Sequence, residues 1–237
     1  MPRTHQLLAA FVVKTVNRIA AARLVYVDGA ASAGDFVLSN TELFLPGKEI
    51  EISAGPGEDP ASLFKGVVIK QSLKVRDQTG PQLIVDCRHA AVKLTVGRKS
   101  QYFFDQSDAD IMSALLDDAG INADVQSTSV THKQQVQFDC TDWDFLLTRA
   151  EANGRLVFTT EDGVTIKAPA IASPVCSLQF GATILELDAT IDARLQYAAV
   201  KSATWDYAQQ SVLAKDANDP GLAGAGNLSS DDLADVV

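Results

Sequence analysis

Cysteine and histidine are scarce in this chain, with three of each among 237 residues. Cys87, Cys140 and Cys176 lie far apart and show no CxxC spacing. Each reads as a small buried apolar residue rather than a metal ligand or half of a bridge. His5, His89 and His132 do not pair at helical spacing, so no metal site is expected. Basic residues are also in the minority: 20 Lys and Arg against 30 Asp and Glu leave a net charge of −10. Phosphate binding needs clustered cations, and the one basic stretch, GRKSQY (97–102), is too short to supply them. No nucleic-acid partner is expected. Long apolar runs are missing as well. LLAAFVV (7–13) falls well short of the roughly 20 residues that a membrane-spanning helix requires. It also lacks the small-residue cleavage site of a signal peptide, because Lys14 and Asn17 follow it. A soluble chain made in the cytoplasm, with no membrane span, is the expectation.

What is present is an ordinary globular proportion of hydrophobic residues, 46%, in a chain long enough for one large domain or two smaller ones. The first hundred residues read as short strands. ARLVYVDG (22–29) is rich in β-branched and aromatic residues and ends in an Asp-Gly turn signal. KEIEIS (48–53) alternates with period 2, which places Ile50 and Ile52 on one face. FKGVVIKQSLKVR (64–76) and QLIVDCRH (82–89) form a hairpin across DQTG. Such spacing predicts a small sandwich or barrel rather than βαβ units.

Two helices follow, and they share a layout. SDADIMSALLDDAG (107–120) and TDWDFLLTRAEANG (141–154) each begin with Ser or Thr, carry aspartates one and three residues on, and end in Gly. Ser107 and Thr141 are the expected N-caps, and the carboxylates face the positive end of the helix dipole. Trp143, Leu147 and Ala150 repeat at helical spacing, making Trp143 a core anchor. A strand pair is expected between the helices, near 123–128 and 134–138. After Gly154, RLVFTTEDGVTIKAP (155–169) reads as a hairpin turning at Glu161-Asp162-Gly163.

Three stretches invite a chemical reading. Asp142 and Asp144 flank a tryptophan as a catalytic carboxylate pair would, but residues i and i+2 on a helix point apart. GPGEDP (55–60) suggests a phosphate loop, yet no Lys-Ser/Thr follows it. DQSDAD (105–110) suggests a calcium loop without its glycine and distant glutamate. Helix capping, a surface turn and a helix start account for the three. No catalytic, cofactor-binding or metal-binding residue is therefore assigned, no cofactor is expected, and the chain is not expected to be an enzyme.

Near the C-terminal end, LELDATIDARL (185–195) alternates almost perfectly between apolar and polar residues. As a strand it spans about 35 Å and turns a charged face to solvent, a channel or a partner. From Ser211 onward Ala, Gly, Ser and Asp dominate, and a flexible segment is expected.

Several stretches, in order, resemble one known family. SNTELFLPGKEIEI (39–52), FKGVVIKQSLKVR, KLTVGRKSQYFFDQSDADI (93–111), VQFDCTDWDFLLTRAEANG (136–154) and AVKSATWDYAQQ (199–210) are similar to the N-terminal hub region of VgrG-type spike proteins. That group includes the Rhs-element Vgr proteins and is related to phage late-control D and T-even phage baseplate hub proteins. The resemblance implies an α+β, mainly β chain. A first small β-barrel hub domain would span 1–98, and an α+β domain with two capped helices 99–176. The first strands of a second, incomplete barrel would follow at 177–210, and a flexible tail or insertion at 211–237. It further implies a structural baseplate hub of a contractile injection machine, homotrimeric in the full-length protein, that adapts a tail tube to a spike. Tail tube protein and baseplate components would be its partners, and a phage tail-like or secretion particle its destination. The alternatives are a cell-wall glycan hydrolase resting on the acidic stretches, or a carbohydrate-binding β-domain resting on Trp205 and Tyr207.

Overall fold

A computed structural model describes residues 5–30, 32, 34–56, 60–76, 80–170, 173–194, 197–218 and 229–234. The chain divides into two compact units, Met1–Pro169 and Ala170–Val237. The fold is α+β and mainly β.

In the first unit, strands β1 (Leu7–Val13), β2 (Ala21–Val27), β3 (Glu49–Ala54), β4 (Ala61–Lys74) and β5 (Gln82–Arg88) form one antiparallel sheet. Its order is β1-β2-β5-β4-β3, and it curls into half a barrel with β1 and β3 at its edges. Period-2 alternation explains the inner face. Ala22, Leu24 and Tyr26 of β2, Phe64 and Val68 of β4, and Leu83, Val85 and Cys87 of β5 all point into one core. Each large side chain buried there contributes about 1.5–3 kcal/mol. Ile50 and Ile52 pack against this core together, as the KEIEIS pattern predicts. The β4–β5 hairpin forms, although the tip of its DQTG turn, like the middle of GPGEDP, lies outside the described residues. Cys87 behaves as an apolar residue: burial, with a smaller push from the Asp86 charge, raises its thiol to about 11. Cys140 is only partly buried, and Cys176 is exposed, contrary to expectation, because its segment has no core to enter.

Gly66 of β4 has the backbone of β5 directly against its Cα. A Cβ there would lie 2.2 Å from the Arg88 carbonyl oxygen and 2.7 Å from the Phe64 ring. The first neighbour is backbone and cannot swing away. Gly66→Ala is expected to destabilise the unit by about 1–3 kcal/mol or more through overpacking, read as a lower urea midpoint at unchanged slope.

A second core lies in the same unit. Strand β6 (Lys99–Ser107) pairs with β8 (Thr131–Cys140), and β7 (Ala123–Val125), β10 (Val164–Lys167) and β9 (Leu156–Thr159) form a three-stranded sheet in that order. This corrects the expected pairing of 123–128 with 134–138. Strand β8 instead takes the aromatic run of β6, whose Phe103 turns inward, while β7 joins β10 in parallel. The hairpin turning at Glu161–Gly163 forms as read from sequence.

Helices α1 (Asp108–Asp118) and α2 (Asp142–Ala152) pack into this second core through Ile111, Met112, Leu115, Trp143, Leu146 and Ala150. Their ends repeat one another. The hydroxyl oxygens of Ser107 and Thr141 accept from the N–H groups of Asp110 and Asp144 at 3.2 and 3.1 Å. At the other end Gly120 and Gly154 adopt φ of +69° and +60°. The following N–H groups, of Ile121 and Arg155, reach back to Leu116 and Ala150 at 3.0 and 2.8 Å. These are Schellman caps, which a left-handed residue closes and glycine adopts at no steric cost.

The second unit departs most from expectation. Residues 185–194 form no strand, and their leucines and isoleucine are exposed. A strand needs a neighbour for its backbone groups, and no described residue supplies one. The regular structure is a hairpin of β11 (Lys201–Asp206) and β12 (Ser211–Asp216), the latter inside the stretch expected to be flexible. A short helix, α3 (Ser230–Ala234), lies there too. Its start repeats the reciprocal capping of α1, with Ser229 and Asp232 exchanging bonds of 3.0 and 3.1 Å. Most of the Ala/Gly-rich segment between β12 and α3 lies outside the described residues.

Candidate assembly site

The two aspartates of each helix start have different jobs. The third-position residues, Asp110 and Asp144, fold back onto their caps, taking the hydroxyls of Ser107 and Thr141 at 2.6 and 2.7 Å. The first-position residues, Asp108 and Asp142, are buried and point away from them. Asp142 and Asp144 therefore do not converge on a common point. Within DQSDAD, Asp108 likewise turns inward while Asp110 caps, and no group of three His, Cys, Asp or Glu able to hold a metal exists among the described residues.

Asp108 gathers three elements. Its carboxylate accepts from Arg149 Nε at 2.7 Å and Asn153 Nδ2 at 2.8 Å on α2, and it meets His132 Nε2 of β8 at 3.0 Å. Burial alone pushes this carboxyl up. The bonds from Asn153, Arg149 and His132, with the Arg149 charge, outweigh burial and hold it below the ordinary carboxylate range. Asp142 makes the matching junction at the far end of the β6–β8 ribbon, accepting from Lys99 Nζ of β6 at 2.6 Å and Gln137 Nε2 of β8 at 2.9 Å. Gln137 also donates to the Cys140 carbonyl at 3.1 Å. The ribbon is thus tied by buried carboxylates to both helices at the Asp108 end and to α2 at the Asp142 end.

What the ribbon presents outward is apolar. Tyr102 and Phe104 lie two residues apart on β6, stacked with centroids 6.2 Å apart. Val136 stands opposite Tyr102, and Phe138 follows two residues along β8. Phe138 is 78% exposed, and Tyr102 and Phe104 about 60% each. Together these side chains make an exposed aromatic patch on one face of the ribbon. The aromatic run of β6 was visible, but which ring turns outward depends on the register with β8.

A shallow cleft of about 170 Å³ separates the first sheet from the β9–β10 hairpin, with Lys65, His89, Asn122 and Glu161 among its lining residues. Here the β1–β2 connection clasps β9: Asn17 and Val157 exchange bonds of 2.8 and 2.9 Å, and Lys14 pairs with Glu161. His89 is buried between the two cores, its Nδ1 accepting from Ala91 N–H at 3.1 Å while its ring donates to the Thr160 carbonyl. Burial lowers its pKa and outweighs the opposing pull of that carbonyl and of Glu161, with Lys14 adding to the lowering. Because the unfolded chain then takes up the proton more readily, stability is full above the ordinary histidine value of about 6.5. It declines as pH falls from there toward the depressed folded value. Urea midpoints measured from pH 8 downward are expected to show this slope, and His89→Asn, which keeps a capping acceptor, to remove it.

The fold so described is one seen in tail proteins of phages and of type VI secretion systems. It is similar to the 43 kDa tail protein of prophage MuSo2 from Shewanella oneidensis, with a TM-score of 0.61 at 13% identity, covering 82% of this chain and 64% of that one. A tail protein of Neisseria meningitidis MC58 gives a TM-score of 0.61 at 14% identity, covering 90% and 63%. The E. coli c3393 protein is described as a type VI secretion component structurally similar to T4 bacteriophage tail proteins gp27 and gp5. It gives 0.52 at 12% identity, covering 70% and 46%. The chain therefore spans less than two thirds of the length of each of these structures. By sequence, residues 1–237 match the family described as Alg8 N-terminal domain, and the chain belongs to that family. This is a different family from the VgrG-type spike proteins that the motifs resemble. No curated protein matches the chain. Among the described residues no helix is long and apolar enough to cross a membrane.

Proposed function

We propose that the chain is a structural component of a contractile, phage tail-like particle, acting as a baseplate hub that adapts the tail tube to a trimeric spike. The observation that carries this reading is the exposed aromatic face of the β6–β8 ribbon, held on a fold similar to tail proteins. In this reading residues 1–98 and 99–176 act as successive hub domains, copies of the chain assemble as a homotrimer, and the ribbon face meets a tube or baseplate subunit. Co-expression with the tail tube protein, followed by light scattering, tests it. Tyr102→Ser with Phe138→Ser is expected to abolish tube binding while leaving the melting temperature nearly unchanged. A stable monomer with no affinity for tube protein overturns the reading.

A carbohydrate-binding surface is the second reading, favoured by Trp205 and Tyr207, both exposed on the β11–β12 hairpin. Binding on a glycan array that Trp205→Ala abolishes is its minimum requirement.

A further inference from the structure

Of the three histidines only His89 is buried, and it stands where two separate cores meet. The core of the five-stranded sheet and the core around α1 and α2 share no side chain. Among the described residues, the bonds that join them fall in one narrow strip between the β1–β2 connection and β9. Asn17 and Val157 exchange two of these bonds, and Lys14 pairs with Glu161. Inside them the Ala20 N–H donates to Thr159 Oγ1 at 3.1 Å. His89 closes the strip. Its own N–H donates to the Ala20 carbonyl at 3.0 Å, and its ring donates to the Thr160 carbonyl. The chain then enters a 3-10 turn, Ala90–Thr95, whose Ala91 and Leu94 lie in the second core.

Two bonds fix the tautomer of the ring. Nδ1 accepts from the Ala91 N–H at 3.1 Å and so carries no proton, which leaves Nε2 as the donor to Thr160. Only the neutral ring can keep both. A second proton, on Nδ1, sets one N–H against another and strips the fully buried Ala91 of its acceptor. It also places a charge between two apolar cores. The charged groups that face the ring are Glu161 and Lys14, which already hold each other, with Glu49, Lys65 and Asp162 along the cleft. His89 itself lines that cleft, so water can deliver the proton.

We propose that His89 is a proton-released latch. Protonation at Nδ1 turns the ring off Ala91 and Thr160 and opens the strip between the β1–β2 connection and β9, while each core stays folded. Opening the strip breaks a handful of bonds, whereas unfolding either core exposes its whole set of large side chains. The five-stranded sheet and the part that carries the ribbon are then free to change their relative orientation. Acid thereby alters how Tyr102, Phe104 and Phe138 are presented. The inference concerns the chain alone and does not rest on tail assembly, so loss of tube binding leaves it standing.

Amide hydrogen exchange on the full chain, corrected for the intrinsic pH dependence of exchange, tests it from about pH 7.5 to about pH 5, around the ordinary histidine value. Glu161 stays charged across this window, since the bond from Lys14 holds it below the ordinary carboxylate range. The N–H groups of Asn17, Ala20, Ala91 and Val157 all donate in or beside the strip. They are expected to lose protection by about tenfold or more at the acid end, in step with titration of the His89 ring followed by NMR. Interior amides of β5 and α1 should keep theirs, and the near-ultraviolet signal of Trp143 should persist. These readings on the unaltered chain need no variant. His89→Asn keeps a capping acceptor and takes up no proton, so its strip should stay closed at the acid end, which separates His89 from His5 and His132. Protection of the four amides that survives titration of the ring overturns the proposal. So does a simultaneous loss in β5 and α1, which is global unfolding, or an equal acid loss in His89→Asn.

Discussion

Asp108→Ala is expected to lower the unfolding free energy by about 3–5 kcal/mol, the usual cost of leaving the partner of a buried charge uncompensated. Arg149 is largely buried, its side chain 16% exposed, and its Nε is directed at the carboxylate. Asn153 and His132 lose an acceptor in the same step. Chemical unfolding measures the loss directly. A control separates charge from shape: replacing Asp108 and Arg149 together by Leu and Met should recover much of the stability, since no charge is then stranded. The pH dependence has a definite sign. Because the folded carboxyl lies below its ordinary value, its contribution is present above the unfolded pKa of about 3.9. It is lost as pH falls through the depressed folded value. The Asp108→Ala chain should therefore lack that part of the acid transition.

Trp143→Ala is expected to cost about 3–5 kcal/mol, the range for removing a large aromatic from a close-packed interior. Trp143 is 7% exposed and belongs to the cluster that joins α1, α2, β9 and β10. The chain has two tryptophans, and the second provides the comparison. Trp205 is about half exposed, so Trp205→Ala should change stability by only about 0.5 kcal/mol or less. Near-ultraviolet circular dichroism should follow the same division, with the folded signal carried mainly by Trp143.

The core roles of Trp143 and Ala150 were legible because helical spacing depends on neighbours three and four residues away. The reciprocal caps at Ser107 and Thr141 were legible for the same reason, being complete within four residues. Less could be read of the first-position aspartates, which looked like further capping charge. Their true partners lie 41 residues away at Arg149 and 43 residues away at Lys99, and nothing in a local window distinguishes Asp108 from Asp110. The ribbon face was hidden by the same limit, because only the β6–β8 register decides that Phe103 enters the core while Tyr102 and Phe104 do not. LELDATIDARL shows the reverse error. Its local pattern is that of a strand, but pairing is a property of two segments, and no described residue supplies the second.

The two carboxylate junctions also decide how the ribbon answers a mechanical load. A strand pair held at one end peels open bond by bond, each rupture concentrating force on the next. Here Asp142 holds one end and Asp108 the other, so a pull on Tyr102 or Phe138 is divided between two anchors, each rooted in the start of a helix. Release requires both to yield, and under force the quantity that governs survival is an unfolding rate rather than an equilibrium. Single-molecule pulling on the ribbon should show one high-force rupture in the native chain. With either aspartate replaced, two lower steps should take its place.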